Sequence, residues 1–120
     1  MHHTLYYIRH TPYTIPGNYS GWKATVIGQN NQAGKSILKT DYSDNATIQS
    51  NLRTAVKILL KTMDSSAPSA ERFELTVLAR EDGLVVHRVL SEGEVGALLA
   101  EIQAEVEREK KRAEATSGEV

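Results

Sequence analysis

A chain of 120 residues with 14 Lys and Arg against 15 Asp and Glu has a formal charge of −1, too balanced to call for nucleic acid or an anionic membrane as partner. The absence of cysteine excludes a disulfide frame and a thiolate metal site, and fits a reducing compartment such as cytosol or nucleus. The length suits one hydrophobic core, and no apolar run approaches the ~18 residues of a membrane span.

Residues 1–16 open with His2 and His3, then Leu5-Tyr6-Tyr7-Ile8 and Arg9-His10-Thr11-Pro12, with Pro12 and Pro16 bracketing a short extended piece. Gly17-Asn18 and Ser20-Gly21 are turn-forming pairs that lead to Trp22, the only tryptophan. A strand is predicted at about 22–28, with Ala24 to Ile27 buried and Gly28 closing it. A helix follows from Asn31 to Tyr42, with Ala33, Ile37, Leu38 and Tyr42 on one side, and Ser43-Asp44-Asn45 breaks it. The second helix is the clearest periodic element. Ile48, Leu52, Ala55, Val56, Leu59, Leu60 and Met63 form one apolar stripe at helical spacing.

A loop through Pro68 leads to a hairpin. Phe73, Leu75 and Val77 alternate with Glu74 and Thr76, as in a half-buried strand. Arg80-Glu81-Asp82-Gly83 supplies the turn, where Asp-Gly favours tight hairpin geometry, and Leu84 to Leu90 returns. Ser91-Glu92-Gly93-Glu94 reads as a capping box opening a helix whose apolar face is Val95, Leu98, Leu99, Ile102 and Val106. That face fades into a charged run from Glu105 to Glu114, in which Glu107 and Lys111 form a favourable i,i+4 pair. A disordered tail is expected over 113–120.

The string Gly17-Asn18-Tyr19-Ser20-Gly21-Trp22-Lys23-Ala24-Thr25, with the helix ending Leu38-Lys39-Thr40-Asp41-Tyr42, resembles the second half of proteasome α-ring subunits. That family writes this region as a Gly-Asn-Tyr-x-Gly-Trp-Lys-Ala-Thr strand entry. Lys61-Thr62-Met63-Asp64, Leu78 to Gly83 and Arg88-Val89-Leu90 extend the resemblance from about Asn18 to Arg112. It implies an α+β fold: the second half of the four-layer αββα N-terminal-nucleophile-hydrolase-like architecture, an antiparallel sheet with packed helices. Residues 24–28, 73–79 and 84–90 should then share one sheet, with the helices at 32–42 and 48–63 over one face. Residues 17–112 would be the partial domain and 1–16 an unmatched segment. The family's first half, with its early strands, gating segment, activator-pocket Lys and helices facing the β ring, has no counterpart, so a truncated copy or a gene model with a wrong first exon is expected. The run Val85-Val86 and Val89-Leu90 would then be left open to water.

The resemblance implies a non-catalytic structural subunit of the proteasome core α ring, serving ubiquitin-dependent protein degradation in cytoplasm and nucleus. Its implied partners are neighbouring α subunits and proteasome activators, with no nucleic acid, membrane, cofactor or metal. In the family, hydrolysis belongs to β subunits with an N-terminal Thr nucleophile, whereas this chain begins Met1-His2. No catalytic, cofactor-binding or metal residue is therefore assigned.

Other readings compete. Gly28 to Ser36, with Gly34-Lys35-Ser36, looks like a phosphate loop, but five residues separate its glycines where the motif needs four. The structural reading is a polar turn and helix start. Leu5 to Thr11 resembles the strand-to-loop motif of histidine phosphatases, with His10 as phosphoryl acceptor and Arg9 as phosphate clamp, departing from it at Thr11. His87 would be the second histidine, although a place on a sheet edge or toward water explains it as well. A histidine-phosphatase-like enzyme or a non-functional fragment are the alternative functions. His2, His3 and His10 could bind metal, but scattered terminal histidines are usually incidental. Trp22 and Tyr19 are read as anchors of a turn onto the core, and Glu105 to Glu114 as the solvated end of a helix.

Overall fold

Strand β1 (Thr4–Tyr6) pairs antiparallel with β2 (Thr25–Ile27), Leu5 opposite Val26. Gly28, at φ 105°, and Asn30, at φ 59°, then turn the chain into helix α1 (Asn31–Asp41). Glycine adopts such angles freely and Asn at little cost. The Asn31 backbone and side-chain nitrogens both donate to the Gly28 carbonyl and brace the turn. These elements belong to a computed structural model that describes residues 4–6, 21–63 and 68–118.

Helix α2 (Ile48–Thr62) starts where the Thr47 hydroxyl accepts from the Ser50 amide. A 3₁₀ turn (Ala70–Arg72) precedes the hairpin of β3 (Thr76–Glu81) and β4 (Leu84–Val89). Asp82 and Gly83 form its two-residue turn at φ 50° and 80°, the left-handed pair that matches the twist of the flanking strands. Helix α3 (Glu92–Ser117) opens with the predicted capping box: Ser91 Oγ accepts from the Glu94 amide, and Glu94 Oε2 accepts from the Ser91 amide.

The architecture is α+β, organised about α2. On one of its faces Val56 packs with Leu75 and with Val95, Leu98, Leu99 and Ile102 of α3. On another, Ile58 packs with Val26 and Leu38. Two positions along a helix differ by ~200°, so these residues bury opposite sides of α2. The expected single sheet over 24–28, 73–79 and 84–90 is accordingly not formed. β2 reaches α2 through Ile58 and pairs with β1, while the segment entering β3 reaches it through Val56, leaving two separate two-stranded sheets.

The apolar pattern needs further correction. Ala33 is exposed, and Gly34 is the buried residue of α1 beside Leu38. A methyl group on Gly34 would lie 2.9 Å from Val26 Cγ1 and 3.2 Å from Ile58 Cγ2, so the missing side chain lets β2 and α2 close on α1. Ile58 and Thr62 are buried although they lie off the predicted stripe, and Ile48 on it is exposed. Residues 113–117 continue α3 in place of the expected tail, because alanines and charged helix formers carry no breaker before Gly118.

Candidate interaction surface

Alternation along the hairpin divides it into two faces. Val77, Ala79 and Val86 turn inward and are half-buried. With Ile48 and Leu52 of α2 they line a groove of about 350 Å³. Thr76, Leu78 and Arg80 of β3 turn outward beside Val89, His87 and Val85 of β4, their respective cross-strand partners. Leu78 is 71% exposed, Val85 65% and Val89 54%, so the outer face bares three apolar side chains among the polar Thr76, Arg80 and His87. This is the bared surface expected at Val85 and Val89. Their neighbours Val86 and Leu90 are half-buried, because alternation turns them to the other side.

A second feature is a line of ion pairs that joins α2 to α3. Arg53 pairs with Glu101 and, at 2.7 Å, with Glu105. Lys57 lies 3.2 Å from Glu109 and 3.5 Å from Asp41 of α1, and Lys61 is 3.7 Å from Glu109. Arg53, Lys57 and Lys61 recur every four residues, as do Glu101, Glu105 and Glu109, so one charged row on each helix meets the other. Burial pulls the Lys57 ammonium down, but Glu109 and Asp41 reverse this and leave its pKa above the ordinary value. Lys57, with a smaller effect from Lys61, holds the Glu109 carboxyl below the usual range. The charged run is thus partly a clamp, which its expected role as a merely solvated end did not include. Among the described residues no ion pair joins Glu107 to Lys111. The four-residue repeat across two distant segments was the available sequence signal for the clamp.

At the start of α3, the Ser91 amide and then Arg88, 2.7 Å away, lower the Glu94 pKa. Lys23 and then Tyr42 do the same for Asp44, whose carboxylate lies 2.8 Å from Lys23.

The competing site readings fare as follows. Gly34, Lys35 and Ser36 lie inside α1, where Ser36 Oγ donates to the Gln32 carbonyl, so their amides belong to a helix and form no anion nest. His2, His3, Arg9, His10 and Tyr19 lie outside the described residues. His87 is exposed on β4 opposite Leu78. Trp22 is nearly half exposed and does not bury itself as the expected anchor. Among the described residues no group of three or more His, Asp or Glu side chains could hold a metal ion, and no helix is long and apolar enough to cross a membrane.

This geometry offers an exposed surface, and comparisons with known proteins give the family. A model of the proteasome subunit family matches residues 7–78, beginning ten residues ahead of the boundary read at Gly17. Proteasome subunit alpha type-4 of Petunia hybrida is 42% identical over 83 residues, which cover 69% of this chain and 33% of the relative. The same subunit of Spinacia oleracea is 46% identical over 86 residues, 71% of this chain and 34% of the relative. A putative alpha type-4-B subunit of Arabidopsis thaliana is 53% identical over 62 residues, covering 52% of this chain and 30% of the relative. The chain thus spans about a third of the length of these curated relatives.

Proposed function

The chain belongs to the proteasome subunit family, and on that premise we propose that it is a non-catalytic structural subunit of the core α ring, of the alpha type-4 kind. Its role is scaffolding in ubiquitin-dependent protein degradation, in cytoplasm and nucleus, beside neighbouring α subunits and the activators that dock on the ring. We read its elements as part of a four-layer αββα fold. The observation that carries this reading is the similarity to alpha type-4 subunits over 69% to 71% of the chain.

The family match also takes in Arg9 and His10, the two residues on which a phosphatase reading depends, and so favours the scaffold over that enzyme. Two measurements test the proposal. Tagged chain expressed in cells should co-purify with α subunits in native proteasome assemblies; recovery solely as free protein overturns it. Purified chain should turn over neither peptides nor p-nitrophenyl phosphate. Phosphatase turnover lost in His10→Ala would establish the enzyme instead.

A further inference from the structure

We propose that the C-terminal arm of α3, residues 107–117, is a conditional helix, latched to the body by Glu109 and released to coil when the facing lysines of α2 lose their charge. Val106 is the last residue of α3 packed on the core, and residues 107–117 are all exposed. Glu109 meets Lys57 at 3.2 Å and Lys61 at 3.7 Å, and among the described residues it makes the last ion pair between the two helices. Beyond it, Thr116 Oγ1 donates to the Arg112 carbonyl and Ser117 Oγ to the Glu114 carbonyl, bonds within α3 itself. The latch lies wholly within α1, α2 and α3, so it does not depend on what covers the hairpin.

The arm has little hold of its own. Its residues are good helix formers, but helix propagation in water gains almost nothing per residue, and the arm buries no apolar side chain. Glu101, Glu105 and Glu109 stand four apart on one helix, where like charges repel. Glu114 lies in a last turn that carries no base, so it opposes the helix macrodipole. The acidic row therefore disfavours the helix taken alone and favours it only against Arg53, Lys57 and Lys61. An element so evenly balanced responds to a small bias, and one partly exposed pair changes its helix-to-coil ratio about twofold. The charge on Lys57, itself held between Asp41 of α1 and Glu109, thus governs a segment 52 residues downstream. Salt, or any change that removes the lysine charge, opens the latch.

Cα secondary chemical shifts of the full chain, read by NMR along α3, test this. Residues 107–117 should be helical at low salt. Their helix-to-coil ratio should fall about twofold in Lys57→Met and Glu109→Gln, and less in Lys61→Met, while residues 95–102 keep their shifts. Glutamine matches glutamate in helix propensity and removes the repulsion between Glu105 and Glu109, so a local effect alone would raise the ratio instead. Salt at about 1 M should lower the ratio in the wild-type chain and change it little further in Glu109→Gln. Lys110→Gln, which alters the arm but no pair to α2, should have less effect than Lys57→Met. An arm that is coil at low salt overturns the proposal, as does a ratio unchanged in Lys57→Met, raised in Glu109→Gln or lowered as far by Lys110→Gln. Loss of helix along the whole of α3 in Lys61→Met, the more exposed lysine, would assign the pairs to global stability and also overturn it.

Discussion

The Asn30 side-chain amide donates to the Thr62 carbonyl at 2.9 Å, tying the turn between β2 and α1 to the last turn of α2. Helix C-terminal carbonyls lack intrahelical partners, and Asn30 supplies one from 32 residues away. Its own left-handed backbone, φ 59°, aims the amide there. Asn30→Ala should lose about 1 kcal/mol for the bond and about 1 kcal/mol more for the left-handed conformation. Asn30→Gly should keep the conformation and lose chiefly the bond. Chemical denaturation of both variants separates the two effects.

Gly34→Ala should destabilise the chain even though alanine favours a helix by about 1 kcal/mol over glycine. The added methyl would stand 2.9 Å from Val26 Cγ1, a contact that forces movement of a β-branched neighbour held against α1. Overpacking of this kind costs about 1–3 kcal/mol, so the net loss should be about 1 kcal/mol. A higher melting temperature for Gly34→Ala would contradict the packing.

The clamp between α2 and α3 gives a pH dependence of definite sign. Glu109 has a depressed pKa when folded, so its contribution is present above the ordinary value of 4.5 and lost as pH falls through the folded value. Lys57 has a raised pKa, so its contribution is complete below 10.5 and lost as pH rises through the folded value. Lys57→Met should flatten the acid limb of the stability profile and reduce neutral stability by about 1 kcal/mol or less, less still in high salt. Denaturation midpoints at acid, neutral and alkaline pH provide the check.

Ser91→Ala should cost about 1 kcal/mol by leaving the Glu94 amide without its acceptor. Glu94 is held below its ordinary pKa of 4.5, so the reciprocal bond to the Ser91 amide should weaken as pH falls below that value. The protection factor of the Ser91 amide, taken against the intrinsic exchange rate at each pH, should fall in acid. Exchange at Glu94 should also quicken in Ser91→Ala at neutral pH.

The capping box at Ser91 and Glu94, the Asp82-Gly83 turn and the helices at α1 and α2 were legible in the sequence because each depends on residues a few positions apart. Short-range hydrogen bonds, left-handed backbone preference and helical periodicity act within that range. The exposed outer face of the hairpin was legible as a bared run at Val85 and Val89, but not at Leu78, whose side was settled by the register of the hairpin. Glu101, Glu105 and Glu109 read locally as a solvated run. Their partners Arg53, Lys57 and Lys61 lie about fifty residues upstream.

The sequence by itself therefore determined the local elements, the turn chemistry and, through the strand entry at Trp22 to Thr25, the family. The tertiary structure alone decided that β2 and the hairpin go to opposite sides of α2. It also decided that Gly34, not Ala33, faces the core. An apolar stripe states that a helix is buried, but not which segment covers which part of it. Ile58 lies ~200° around α2 from Val56, and the choice between their partners is made by packing across the chain, where close contact with Val26 favours a residue without a side chain at position 34.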